Sequence, residues 1–276
     1  MKISYEKLDM PEVLEALFHP RREEPLTKPN SIEHRFPVEK EVQVGGRFHI
    51  ADQEGPSILF FHGNGETVSD YDEIGEMYTK FGMNFLVVDY RGYGISGGTP
   101  TSTSMMNDAL TIFTQAKQWL VEQGYNGPLF VMGRSLGSAC AIEIAARFQD
   151  EITGLLIDSG FAQTLPLLAT LGVDVDGLGL AEKDGFRNAQ KIATITKPTL
   201  MLHGQYDQII PLISAEILQA QSIAKNKQFQ VIPGADHNSI LEKVGEMYFV
   251  TIKQFIDKVL HKRPKRYQSR RNRKDS

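Results

Sequence analysis

Gly133-Arg134-Ser135-Leu136-Gly137 carries the clearest chemical signal in the chain. The apolar, β-rich run Phe130-Val131-Met132 leads into this Gly-x-Ser-x-Gly, and an alanine-rich helical pattern follows from Ser138. A strand-to-helix turn this tight pushes the serine Oγ clear of the sheet, and the flanking glycines let strand and helix pack closer than a Cβ permits. The serine backbone is strained in such a turn, and strain of that kind is stored at functional sites. A serine hydroxyl is a poor nucleophile at neutral pH and needs an adjacent base. Histidine, with an unperturbed pKa near 6.5, suits that task. A carboxylate behind the histidine fixes its tautomer and stabilises the imidazolium. The chain offers His62-Gly63-Asn64-Gly65 before the serine, and His203-Gly204-Gln205-Tyr206-Asp207 and Gly234-Ala235-Asp236-His237-Asn238 after it.

These clusters need a scaffold that brings them together. Ser57–Phe61, Asn84–Tyr90, Leu129–Met132, Ile152–Ile157, Thr199–His203 and Phe229–Ile232 read as buried strands, short, apolar and bounded by Gly, Pro or charge. A further strand pair is expected at Glu39–Val44 and Arg47–Ala51, turning at Gly45-Gly46. Helical spacing joins Ile74, Met77, Tyr78 and Phe81, then Met106 through Leu120, then Ile240 through Val259. Pro211 stands where another helix can begin, ahead of Leu212 to Ala224. Strand–helix alternation predicts an α/β fold, a mostly parallel central sheet with helices on both faces. Catalytic groups in such sheets gather on loops at the carboxyl ends of the strands. Each polar cluster follows a strand, so all can meet on one rim.

From residue 36 to 260 the pattern resembles the α/β-hydrolase family. The resemblance rests on HGNG at 62–65, DYRGYGISGG at 89–98, GRSLGS at 133–138, HGQYD at 203–207 and GADH at 234–237. The DYRGYGxS loop is most similar to compact bacterial members and the Bem46-like branch. The family's order of nucleophile, acid and base implies Ser135, Asp207 and His237 as the catalytic residues. It also implies an oxyanion hole from the backbone amides of Asn64 and Leu136. Family members that open epoxides or displace halides carry an aspartate at the elbow, so Ser135 points to acyl transfer to water. The expected activity is a serine hydrolase cleaving ester or thioester bonds through an acyl-enzyme. A peptidase of the same fold, or a non-catalytic binding protein built on it, is the alternative.

Other residues compete for these roles. Asp158 ends a strand at a place where some relatives put the acid. Asp236 directly precedes His237, so its side chain should point elsewhere and bond within its loop. Asp89 is expected to brace the Arg91–Gly98 loop, Arg134 to pair with a nearby acid, and His62 and His203 to be packed and hydrogen-bonded. Two histidines about 140 residues apart make a poor metal site, so neither a metal nor an organic cofactor is expected. The one cysteine, Cys140, reads as a small core residue. Gly92–Gly98 lacks a phosphate-loop pattern.

With 276 residues, 41% hydrophobic and 23% charged, the composition is that of a globular protein with a sizeable core. No apolar run approaches the roughly 20 residues that span a bilayer, and Met1–Pro25 lacks a signal-like apolar stretch, so a cytoplasmic location is expected. The net charge of −4 conceals a basic tail: residues 261–276 hold eight Lys/Arg and one acid. The tail is expected to be solvated and disordered, with contact to nucleic acid or an anionic membrane as the sharper alternative. Residues 1–260 are expected to form one hydrolase domain acting on a small-molecule ester or thioester. About forty residues, 158–198, form a short lid or connection with a partly apolar stretch at 160–186.

Overall fold

The structure is a computed structural model that describes residues 4–24 and 30–261. All of the basic tail beyond His261 lies outside the described residues. Eight strands form one sheet: β1 (Ser31–Glu39), β2 (Val42–His49), β3 (Ser57–Phe61), β4 (Asn84–Val88), β5 (Leu129–Arg134), β6 (Gly154–Asp158), β7 (Thr199–Gly204) and β8 (Lys227–Ile232). Their order is β1-β2-β4-β3-β5-β6-β7-β8. β2 runs antiparallel to both of its neighbours, and the strands from β4 to β8 are parallel. The helices are α1 (Pro11–Leu17), α2 (Asp72–Lys80), α3 (Ser102–Glu122), α4 (Gly137–Arg147), α5 (Thr164–Thr170), α6 (Asn188–Ile192), α7 (Leu212–Gln221), α8 (Ile240–Val244) and α9 (Met247–Val259).

The central strands are apolar through their middles and polar only at their ends, because both faces are covered. Successive side chains point to opposite faces, so each strand feeds two cores. Leu59, Phe61, Leu86, Val88 and Val131 pack with residues of α3 and α4. Ile58, Phe60, Phe85, Val87 and Phe130 pack with Tyr78 of α2 and with Phe249, Ile252 and Phe255 of α9. The parallel register levels the carboxyl ends: Gly133 pairs with Phe61 and Ile157, and Arg134 with Asp158. Asp158 pairs in turn with Leu202, and Gly204 with Ile232. The loops holding His62, Ser135, Asp207 and His237 therefore leave one rim.

The strands expected at 84–90, 129–132, 152–157, 199–203 and 229–232 shift by one or two residues at their ends, and three other boundaries move as well. The β1–β2 turn falls at Lys40 and Glu41, while Gly45 and Gly46 lie inside β2, opposite Arg35 and His34. A Cβ on Gly45 would sit 2.5 Å from Ile95 Cγ1. Gly45 serves the close approach of the 89–98 loop, and Gly46 packs against Phe36 and the neighbouring strand at Val87 and Val88, so neither reverses the chain. The C-terminal helical pattern is broken at Gly245 (φ 53°), which divides it into α8 and α9 and leaves Met247 exposed. The helix after Pro211 ends at Gln221, short of Ala224.

The 158–198 connection is packed down rather than free. Leu167, Leu168 and Phe186 are buried in the same core as Leu8, Val13 and Leu17 from the N-terminal segment. Both Glu182 carboxylate oxygens accept from the first turn of α5, at Thr164 N (2.7 Å) and Leu165 N (3.0 Å). Lys191 of α6 is buried against Glu143 of α4 at 2.6 Å and donates to the Tyr5 hydroxyl at 3.0 Å. No described helix is long and apolar enough to cross a membrane.

Candidate active site

Ser135 follows β5 with a φ of 51°, in the left-handed region that non-glycine residues seldom enter. Its N–H donates to Asp158 O at 2.9 Å, and its carbonyl accepts from both Ser138 N (3.0 Å) and Ser138 Oγ (2.6 Å). The flanking glycines are sterically required. A Cβ on Gly133 would lie 2.2 Å from Gly137 O, and one on Gly137 would lie 2.1 Å from Phe61 O. Backbone cannot yield as a flexible side chain can, so the strained turn is fixed from both sides.

His237 Nε2 lies 2.9 Å from Ser135 Oγ, and His237 Nδ1 lies 2.7 Å from Asp207 Oδ2. The carboxylate selects the tautomer: Nδ1 carries the proton and donates to Asp207, leaving Nε2 to accept from the serine hydroxyl. Asp207 is held in turn, because its Oδ1 accepts from Ile209 N (3.0 Å) and Ile210 N (2.8 Å). His203 Nε2 meets Ile210 O at 2.7 Å, which pins the same loop from beneath. The arrangement can remove a proton from Oγ, hold it on the imidazole and return it.

The competing carboxylates are occupied elsewhere. Asp158 is buried and accepts from Tyr248 Oη (2.6 Å) and Ser159 Oγ (2.9 Å). Asp236 is exposed, and its Oδ1 accepts from Asn238 N (3.0 Å) and Ser239 N (2.9 Å) within its own loop. Asp89 reaches a different loop from the one expected: its Oδ1 accepts from Val68 N at 3.0 Å and lies 3.3 Å from His62 Nε2. Gly94 of the 91–98 loop only makes room for it, since a Cβ there would sit 2.3 Å from Asp89 Oδ2. His62 Nδ1 meets Gly63 O at 2.7 Å, so both ring nitrogens face acceptors. Burial alone would lower the His62 pKa, but Asp89 outweighs it and the pKa is raised. Burial pushes the Cys140 thiol far up, consistent with an unreactive core residue.

The amides of Asn64 and Leu136 donate to no other group among the described residues. Asn64 is held through its side chain: Oδ1 accepts from His19 N and Tyr93 Oη, both at 2.9 Å, and Nδ2 lies 2.8 Å from His19 Nδ1. His19 carried no signal in the sequence, because it sits outside every strand and motif. Glu66 was missed for the opposite reason, as one more acid on a charged surface. It accepts from Gly63 N (2.6 Å) and Tyr71 Oη (2.6 Å) and pairs with Arg134. Arg134 then donates from Nη2 to His237 O (2.9 Å) and Asn238 Oδ1 (3.0 Å). One ion pair thus ties together the loop of Asn64, the strand of Ser135 and the loop of His237.

Two family models match the chain: "Serine aminopeptidase, S33" over residues 53–171 and "alpha/beta hydrolase fold" over residues 161–244. The uncharacterised protein Rv2307c of Mycobacterium tuberculosis is 30% identical over 222 residues, covering 78% of this chain and 75% of the relative. The chain belongs to the α/β-hydrolase family. Within it, the protein bem46 of Schizosaccharomyces pombe is 28% identical over 211 residues, 73% of this chain and 67% of its own. Among solved structures, the Pyrococcus furiosus esterase Pf2001 superposes with a TM-score of 0.70 at 18% identity, covering 87% of this chain and 98% of that one. A monoglyceride lipase from Saccharomyces cerevisiae gives 0.67 at 20% identity, covering 85% and 96%. The matches run through the rim loops of this α/β-hydrolase.

Proposed function

We propose that the protein is a serine hydrolase that cleaves carboxylic esters or thioesters. The observation that supports this most is the relay Ser135 Oγ–His237 Nε2–Nδ1–Asp207 Oδ2, with heavy-atom separations of 2.9 and 2.7 Å. Ser135 Oγ attacks the carbonyl carbon while its proton passes to His237. The carbonyl oxygen becomes an oxyanion and is held by the amides of Asn64 and Leu136, each such donor being worth about 3 kcal/mol in the transition state. The carbon–oxygen bond to the alcohol breaks, and His237 returns the proton to the leaving oxygen. Water, deprotonated by His237, then attacks the acyl-enzyme, releasing the acid and restoring Ser135. The names of the structural neighbours, an esterase and a monoglyceride lipase, agree with this chemistry.

The test is labelling by a fluorophosphonate probe together with p-nitrophenyl ester turnover. The wild type is expected to label at Ser135 and to hydrolyse short esters; absence of both would remove the hydrolase reading. The family model described as a serine aminopeptidase favours a second reading, cleavage of an amino-terminal peptide bond. Aminoacyl p-nitroanilides separate the two, since turnover of these above the esters would make the protein a peptidase.

A further inference from the structure

A cavity of about 290 Å³ opens beside the His237 loop, between α2 and α8. His237 lines it, whereas Ser135, Asn64 and Leu136 do not. During ester cleavage on a serine–histidine pair, the carbonyl oxygen turns toward the oxyanion donors. The leaving oxygen turns toward the histidine that protonates it. A cavity walled by the histidine loop and not by the oxyanion residues lies on the leaving-group side. Its volume is at the lower end of the ~300–1,000 Å³ typical of small-molecule pockets, which suits a small group.

The walls restrict what that group can be. Phe60, Ile74 and Leu241 are apolar, and three carboxylates, Glu66, Asp70 and Asp158, face one guanidinium, Arg134. Glu66 is paired with Arg134, and Asp70 with Arg21. Asp158 is 4% exposed and accepts only from two neutral hydroxyls, those of Tyr248 and Ser159. Among the described residues no cation forms an ion pair with it. Arg134 acts on it only at longer range, beyond ion-pair distance. A buried carboxylate without a close cation is costly, and a ligand that brings a positive charge or hydroxyl donors relieves that cost. An anionic ligand would meet like charge in a partly enclosed space.

Resting on the hydrolase reading, we propose that this cavity receives the leaving group of the substrate. The group is a small alcohol bearing further hydroxyls or a cationic ammonium, and bearing no phosphate or carboxylate. The bond that breaks is the ester carbon–oxygen bond. The proton passes from His237 to the leaving oxygen, and the freed amino alcohol or polyol departs to solvent.

The test holds the acyl part constant and varies the alcohol. Butanoyl esters of choline, glycerol and phosphoglycerol are compared by kcat/KM. The choline and glycerol esters are expected to exceed the phosphoglycerol ester by about tenfold or more, the scale on which a polar site rejects a mismatched group. Asp158→Asn is expected to reduce the ratio of choline to phosphoglycerol ester by threefold or more. A second measurement needs no variant: free choline should inhibit p-nitrophenyl butanoate turnover competitively in the wild type, and glycerol phosphate should not. Equal or faster cleavage of the phosphoglycerol ester, an unchanged ratio in a folded Asp158→Asn protein, or inhibition by glycerol phosphate alone would each overturn the proposal. Fluorophosphonate labelling of Ser135 keeps the two levels apart. A protein that labels but shows no leaving-group preference retains the hydrolase reading and loses this one.

Discussion

His237 makes its two ring hydrogen bonds to different kinds of partner, and the proposed chemistry depends on both. Ser135→Ala is expected to lower ester turnover by about 10⁴-fold or more while leaving the fold intact, because nucleophile, base and acid act as a unit. Purified protein, thermal melting and a p-nitrophenyl ester assay check it. Asp207→Asn is expected to cost about 10⁴-fold by selecting the wrong histidine tautomer. Asp236→Asn should cost little, since that carboxylate bonds only within its own loop. Were Asp158→Asn the most damaging of these in p-nitrophenyl turnover, the acid would pass to Asp158. Glu66 gives a prediction in pH. Burial would raise its carboxyl pKa, but the Arg134 guanidinium, the Tyr71 hydroxyl and the Gly63 amide hold it below the ordinary value. A carboxylate depressed in the folded state contributes stability above its unfolded pKa and loses that contribution as pH falls through the folded one. Melting temperature should therefore drop on the acid side of pH 4.5 more steeply in the wild type than in Glu66→Gln.

At the scale of elements, legibility followed locality. Ser57–Phe61 and the Gly133–Gly137 turn were readable because each is specified by its own residues: an unbroken apolar run, or glycines at fixed offsets around a serine. Gly45-Gly46 was misplaced because Ile95, about fifty residues away in sequence, is what requires the glycine. The N-terminal segment was unreadable for a similar reason. Leu8, Val13 and Leu17 are scattered among charges, and only their shared core with Leu167, Leu168 and Phe186 gives them a role. Two ion pairs between elements are testable. Arg134→Lys cannot reach Glu66 and His237 O together through one ammonium. It should lower kcat by about tenfold or more with little change in KM, because misplacing aligned groups by an ångström is costly. Removing Lys191 strands Glu143 in the core: Lys191→Ala should destabilise by about 3 kcal/mol in denaturant melts. Lys191→Met combined with Glu143→Leu should cost less than that single change, since the double variant leaves no buried charge.

Across the whole molecule, the proposed hydrolase activity should carry an acyl-chain preference, because α1 and the 158–198 connection lie together beside the loop of Asn64. An open groove of about 680 Å³ runs between Ala16 and His19 on one side and Leu171, Val173 and Leu178 on the other. Its His19 wall is the one that holds Asn64. Each CH₂ buried there contributes about 0.8 kcal/mol, but only while there is wall to cover it. In a series of p-nitrophenyl esters, kcat/KM should rise over the first few acyl carbons and then level or fall. A steady rise through the palmitoyl ester would mean that the groove continues into a lipid channel.

The alternation that divides the central strands between two cores also constrains how genes for such proteins can change in length. Deleting one codon from β5 would exchange the faces of Phe130 and Val131 and shift Ser135 out of step with the Asp158 carbonyl that accepts its N–H. A codon lost or gained at Lys40–Glu41 touches only an exposed turn. In a library of single-codon deletions, viable members should be absent from the six parallel strands and concentrated in that turn and in the surface stretches of 158–198. Drift in length is thus confined to the places where the chain can change without turning a strand over.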